Sequence, residues 1–530
     1  MTESPHHARQ AGVAPDEPRR DDPPWRRLHP RMLVVTPLDT IVRLLPVFAI
    51  VLLTGRGDPV RVWIALGITG LLILLGAIRW LTTRYRITAD RVELHKGWLN
   101  RQRTSVPRDR IRTVDLTAKL VHRIFGLSVV RVSAAAGSHA GLHQLDLDAV
   151  DTAEAEGLRR ELLALPVPAP DGSAEAPAPA APPAEELARL DPSWVRYAPL
   201  TVSSLAGIGL VLGAVWRLFD DLGVDPRDVP TVDTAADRLA EAPVWVGTAV
   251  VGVVLLVIAV VGSVLLFIER WWNYRLTREA DGTLRVRRGL LTRRSLSVSG
   301  RRLRGVLVSE PLLLRAGRGA QARAVSTGLA EDTHGGALQP PAPRAEAGRV
   351  AAVVLHEDPS MIVGAPLRRH PRAALTRRLT RVLGSAVGLI AAAWLVAALL
   401  PGLAWLGPVS LALLPIALLL GLDRYRSLGH ALTARYLVAR QGSLHRRTVA
   451  LQRTGVIGWT FRQSVFQRRA GLVTVQAVTA AGDGGYRVLD IAAADGAALA
   501  DATTPDLLDP VHHTHRGVSA SGGGYRTGPG

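Results

Sequence analysis

Cysteine is absent from all 530 residues, which excludes a disulfide framework, a thiolate zinc site, an iron–sulfur cluster and a cysteine nucleophile. A chain without thiols is indifferent to redox, so this absence says nothing about compartment. Lysine is nearly absent too. Of the 64 basic residues only Lys96 and Lys119 are lysine, and arginine carries the net charge of +19. Catalytic signatures are missing: there is no HExxH motif and no Ser/His/Asp grouping that supports hydrolysis. Residues 1–30 lack the apolar core and small-residue cleavage site of a signal peptide, so the first apolar pair is expected to direct insertion itself. Apolar residues, by contrast, are plentiful, at 48% with mean hydropathy +0.18. The length fits about three or four domains, and the composition points to a membrane protein with basic polar parts.

A helix needs about 20 mostly apolar residues to cross a bilayer, because its backbone must bond within itself there. Six stretches qualify as spans: 38–53, 62–80, 197–215, 244–268, 383–400 and 403–422. They fall into three hairpins, the last closed by the helix-breaking Pro401-Gly402 pair. Loop charge sets direction, since arginine near short loops stays cytoplasmic. Residues 219–242 hold seven acids and two arginines and are expected outside. Residues 270–381 hold 22 arginines and eight acids and are expected in the cytoplasm, as are both termini. Tryptophans gather at the proposed span ends, among them Trp63, Trp80, Trp194, Trp245 and Trp272, where an indole keeps its ring apolar and its N–H among headgroups.

The polar segments after the hairpins repeat one another. Each places a turn glycine at Gly97, Gly289 and Gly442. Nine residues later come Val106, Val298 and Leu451, fourteen later Ile111, Leu303 and Val456, and seventeen later Val114, Val306 and Trp459. Gly126 and Gly137, Gly317 and Gly328, and Gly471 and Gly482 add three glycine pairs. Alternating or β-branched runs at 91–94, 104–106, 127–132, 142–147, 471–475 and 486–491 predict strands, and 153–165 predicts a helix. In the second unit 330–349 reads as a Pro/Gly-rich insertion before a last strand at 350–355.

Hairpin, Arg84-Tyr85-Arg86 collar, turn glycine, basic strand pair and glycine-led strand together resemble the bacterial pleckstrin-homology-like, membrane-flanked domain proteins. Three copies on one chain resemble their YdbT-like branch. The resemblance covers about residues 35–505. It implies an α+β membrane protein in which three transmembrane hairpins are each followed by a cytoplasmic PH-like β-barrel or sandwich with a C-terminal helix. It also implies the plasma membrane, a smaller single-domain relative as partner, and a place in envelope stress or antimicrobial-peptide tolerance. Separately from the resemblance, no enzymatic activity is expected, and membrane phospholipids and a second copy of the chain are expected partners. The division expected is a disordered basic tail at 1–34, hairpin 35–80, domain 81–165, a Pro/Ala-rich linker 166–193, hairpin 194–269, domain 270–365, a basic linker 366–382, hairpin 383–422, domain 423–505 and a disordered tail 506–530.

The candidate functional residues are arginines on the strand pair nearest each hairpin, because a guanidinium fork matches phosphate oxygens and an anionic leaflet attracts nearby cations. They are Arg101, Arg103, Arg108, Arg110 and Arg112 in the first unit, Arg293, Arg294, Arg301, Arg302 and Arg304 in the second, and Arg446, Arg447 and Arg453 in the third. The simpler reading of the same charges is the orientation bias plus a solvated strand face. No cofactor, metal site or nucleic-acid partner is expected, since arginine follows membrane sidedness in all three units. Gly317-Arg318-Gly319-Ala320-Gln321-Ala322 fits a nucleotide fingerprint without the helix it requires. His512, His513 and His515 lie in a Gly/Ser-rich tail, Arg56-Gly57-Asp58 reads as a polar turn, and Asp220-Asp221 reads as external-loop charge. Transport through the six helices is the rival function, weakened by the lack of ionisable groups within 244–268 and the last two spans.

Overall fold

The computed structural model describes residues 23–35, 38, 59–88, 90–97, 102–108, 111–134, 143–163, 184–201, 243–327, 336–362 and 364–505. In the first unit, β1 (Arg26–Arg27), β2 (Arg84–Ile87), β3 (Arg91–Lys96) and β4 (Gln102–Pro107) form an antiparallel sheet in that order. β5 (Ile111–Ala118), β6 (Leu127–Ala134) and β7 (His143–Asp151) begin a second sheet, followed by the helix Thr152–Leu163. The second unit repeats this with β8 (Glu185–Arg189), β9 (Arg275–Arg278), β10 (Leu284–Arg288) and β11 (Arg293–Val298), then β12 (Leu303–Pro311), β13 (Gly319–Ser326), β14 (Ala342–Pro343) and the helix Arg344–Leu355. The third has β15 (Gly429–Leu432), β16 (Tyr436–Gln441) and β17 (His445–Gln452), then β18 (Gly458–Arg462), β19 (Leu472–Val478), β20 (Gly485–Ala492) and the helix Ala493–Thr503.

Local sequence explains much of this. β3 buries Val92 and Leu94 and turns Arg91 and Glu93 the other way, the period of a strand with one apolar face. The turn glycines Gly97, Gly289 and Gly442 take φ of 100°, 110° and 97°. A Cβ at Gly289 would fall 2.0 Å from the Thr292 carbonyl oxygen, so only glycine makes this turn.

The units are not separate domains on a string. β5 of the first pairs antiparallel with β11 of the second, giving one seven-stranded sheet in the order β7-β6-β5-β11-β10-β9-β8. β12 of the second likewise pairs with β17 of the third in the order β14-β13-β12-β17-β16-β15. Two cores therefore share each fused sheet. Val306, Val308, Val438 and Ala450 of the six-stranded sheet face the second unit's core, and Leu437, Val449 and Leu451 face the third's.

Among the described residues, three helices are long and apolar enough to cross a membrane: Trp245–Trp271, Arg372–Leu399 and Leu406–Arg426. The last two are joined through a 3-10 turn at Pro401–Leu403 and touch where Gly407 lies against the Trp394 ring and Gly421 against Leu379. The span expected at 62–80 falls in the helix Pro59–Thr82. All but the first residue of the span at 38–53 and most of that at 197–215 lie outside the described residues, as do the acidic loop 219–242, Asp220-Asp221, the Arg56 tripeptide and the histidines at 512–515. The start of the 197–215 stretch is the 3-10 helix Pro192–Leu200, whose Trp194, Tyr197 and Ala198 are buried in the second unit's core rather than facing lipid.

Several expectations need correction. Residues 350–355 are helical: Ala347, Val350, Ala351 and Val354 of Arg344–Leu355 fall at helical spacing and are all buried, so the β-branched run marks a helix face. The part of the basic N-terminal segment within the described residues, 23–34, is structured rather than a disordered tail. β1 pairs with β2, and Leu28, Met32 and Val35 enter the first core, because apolar residues are interleaved with the arginines. The Pro/Ala-rich linker ends in β8, which adds a strand beside β9. The basic linker at 366–382 is helical from Arg372, continuous with the apolar segment that follows. The glycine register shifts by one in the middle unit: Arg318, not Gly317, takes the left-handed conformation that Gly126 and Gly471 adopt before the next strand. The strand Gly319–Ser326 follows it, so the apparent nucleotide fingerprint opens no helix.

Candidate functional site

A basic concavity lies where the first two units fuse. A cleft of ≈ 650 Å³ is lined by Arg123, Arg285, Arg287, Arg288, Arg293 and Arg294, with Glu156 and Trp272 in its wall. Trp272 caps the C-terminal end of the long apolar helix Val244–Trp271, so the cleft opens at the level where that helix ends. Leu120, Ile124, Leu290 and Leu291 are exposed around it.

Part of this charge is committed to holding the units together. Arg159 on the first unit's helix donates two hydrogen bonds of 2.9 Å to Glu279 of the second and one of 3.1 Å to Glu156. Arg285 of the second unit reaches back to Glu156, and Arg287 approaches the same carboxylate at 3.4 Å. Burial works to raise the Glu156 carboxyl, but Arg285 and Arg159 outweigh it and hold it below the ordinary carboxylate range. Burial, then Arg294 beside it, pushes the Arg288 guanidinium down to about 10, still cationic at neutral pH. Asp115 lies beneath the cleft, its carboxyl raised by burial and opposed by Arg294, Arg131 and Arg288. Arg287 is exposed but faces Glu156; Arg293 and Arg294 at the start of β11 are exposed as well, open to an anion arriving from the end of the apolar helix.

The family model described as "Bacterial PH domain" matches residues 40–165, 227–357 and 379–502. The chain belongs to the bacterial PH domain family. It is 24% identical over 470 residues to the UPF0699 transmembrane protein YdbT of Bacillus subtilis (strain 168), covering 85% of this chain and 92% of that protein. No solved structure matches it.

The expected arginines divide by what their PH-like unit does with them. Arg108 and Arg453 stand eleven residues after their turn glycines, and both cap the unit's C-terminal helix. Arg108 donates to the Glu161 carbonyl, and Arg453 donates to the Thr503 and Ala502 carbonyls at 3.1 and 2.6 Å. Their forks are spent on helix ends. Arg446 faces Ser427, Glu310 and Asp423 at the second fusion, Arg447 faces Asp483 at 3.8 Å, and Arg304 packs over Gly455. Arg103 and Arg301 are exposed and Arg302 is half-buried, none of them in the cleft. Arg101 and Arg110 lie outside the described residues, and Arg112 is placed in β5 without a described side chain. Of the thirteen, the cleft gathers Arg293 and Arg294. Sequence reading missed Arg123, Arg285, Arg287 and Arg288, although the Arg285-x-Arg287-Arg288 run directly before the turn glycine was a visible signal.

Proposed function

We propose that this chain is a non-enzymatic integral membrane protein that holds three fused PH-like units beneath the cytoplasmic leaflet, where they contact anionic lipid headgroups and serve as an assembly surface. The observation that carries the reading is the arginine-lined cleft opening beside Trp272, at the end of a membrane-length helix. A phosphate there meets preplaced guanidinium groups, while the exposed leucines beside it suit the boundary between headgroup and acyl chain. Each cation near an anionic surface contributes about 1 kcal/mol. A cytoplasmic location follows from the arginine excess on these segments.

The test uses the full chain in nanodiscs of neutral lipid doped with phosphatidylglycerol, reading retained lipid by native mass spectrometry. Arg293→Gln with Arg294→Gln should lower phosphatidylglycerol retention about tenfold or more, given that worth per cation. Inorganic phosphate competing equally well would assign the cleft to free anions, and unchanged retention would reduce the arginines to orientation charge.

A further inference from the structure

The two fusions between units are built alike. Val114 of the first unit pairs with Ser297 of the second, and Val306 of the second pairs with Ala450 of the third. In both, the residue seventeen after one unit's turn glycine meets the residue eight after the next unit's. A clasp repeats as well: Arg123 donates to the Leu290 carbonyl at the first fusion, and the equivalent Arg315 donates to the Ser443 carbonyl at the second, 3.3 Å away. One register and one clasp, used twice, define a connector with two complementary halves.

Three units in series use two connectors and leave one half of each kind over. Among the described residues, the outer edge of β4 in the first unit and that of β18 in the third pair with no strand. Both retain the features of a used half. Phe461 of β18 is 45% exposed, while its equivalents Leu116 and Val308 are 7% and 1% exposed within the fusions. Arg468 occupies the clasp position of Arg123 and Arg315 and is exposed. Gly458 matches Gly305, where a Cβ would sit 2.2 Å from the Ala450 carbonyl across the fusion, yet at Gly458 the nearest atom is 4.0 Å away. On the other edge, Ser105 is exposed where its equivalents Ser297 and Ala450 are fully buried.

We infer that β18 of one copy adds to β4 of a second copy in this same register, Trp459 opposite Ser105 and Thr460 opposite Thr104. The occupant is a second copy because the chain carries both halves, and the implied pairing brings no like charges together: Arg103 faces Phe461, and Arg462 faces Gln102. Such a contact is head-to-tail, so a joined pair still has one free end of each kind and copies line up in a file or ring along the membrane. The inference deepens the assembly half of the proposed function by naming its surface and partner.

The cysteine-free chain makes the test direct. Two differently tagged full-length copies are co-expressed in membranes, one carrying Thr104→Cys and the other Thr460→Cys, and oxidised. Directly opposed strand residues meet disulfide geometry. Because neighbouring pairs alternate in hydrogen bonding, Arg103→Cys with Phe461→Cys is run in parallel. The expected result is a reducible product bearing both tags, in several-fold excess over Thr104→Cys with Arg487→Cys on a different strand. Thiols that alkylate freely but give no such excess in either pair overturn edge pairing. Should the tagged copies then still co-purify, assembly stands through another surface. A disulfide to a different, single-unit protein would overturn the second copy as occupant.

Discussion

Asp490 ties the third unit to its helical pair. It is 2% exposed and accepts hydrogen bonds from Arg377, from Arg378 at 2.8 Å and from Gln467 at 2.9 Å. Arg377 and Arg378 belong to the helix Arg372–Leu399, and Asp490 belongs to β20, so the carboxylate ties the membrane-length helix to the β module. Asp490→Ala leaves the buried Arg378 without its counter-charge, at a cost of about 3–5 kcal/mol. Alanine also fits poorly at φ 56°, adding about 1 kcal/mol. Asp490→Asn keeps one acceptor oxygen and tolerates the left-handed conformation, so the expected loss is smaller, about 2–3 kcal/mol. A chain of several units does not unfold in two states, and a global melting temperature would blur the effect. Hydrogen exchange resolves it: amides of β19 and β20 in Asp490→Ala should exchange at least about 100-fold faster, since about 1.4 kcal/mol is a factor of ten. Amides of β5 and β6 should not change. Exchange in β20 within about threefold of the unmodified chain, under 1 kcal/mol, would mean that Arg378 is solvated after all and the tie is decorative.

Two further perturbations probe other parts of the fold. His430 is buried against His370, their ring nitrogens 3.2 Å apart, and burial first, then His370, lowers the His430 pKa to about 4. The folded form favours the neutral ring, so its contribution is present above the unfolded value near 6.5 and is lost as pH falls toward 4. The loss is up to about 3 kcal/mol, read as exchange of β15 and β16 amides corrected for intrinsic rate; His430→Phe should flatten that pH dependence, and a slope surviving the substitution would place the titration elsewhere. Gly442→Ala forces a Cβ to 2.0 Å from the His445 carbonyl oxygen and should destabilise the β16–β17 hairpin by more than about 2 kcal/mol, seen as selective protease nicking there; a resistant variant would refute the strained turn.

Strands were legible wherever apolar alternation met a turn glycine. β3, β6, β19 and β20 were expected close to where they lie, because period-two burial and β-branched residues are local signals. What sequence hid was the partnership between units. A strand edge carries no mark of whether its neighbour is in the same unit, so Val114 could be aligned with Val306 and Trp459 as a repeat position but not matched to Ser297 as its pair. The helix Arg344–Leu355 was missed because Val350, Val353 and Val354 favour strands locally, while burial of one helical face overrides that preference. The site was half-legible for a related reason. Arg293 and Arg294 could be named from charge near the membrane, but Arg123 reaches the same cleft only because β5 and β11 join. Arg108 and Arg453 share the composition of a headgroup contact, and only the position of the following helix shows that they cap it.

The central claim is that three fused PH-like units lie together on one face of a membrane. The direct measurement is labelling of single cysteines placed at exposed positions in each unit, Arg103→Cys, Arg301→Cys and Arg487→Cys, with a membrane-impermeant maleimide. All three should stay unlabelled in intact cells and react fully once the membrane is opened, while Thr231→Cys in the acidic loop reacts in both conditions. Labelling of any one unit in intact cells, with the others protected, would contradict a continuous array and the account built on it.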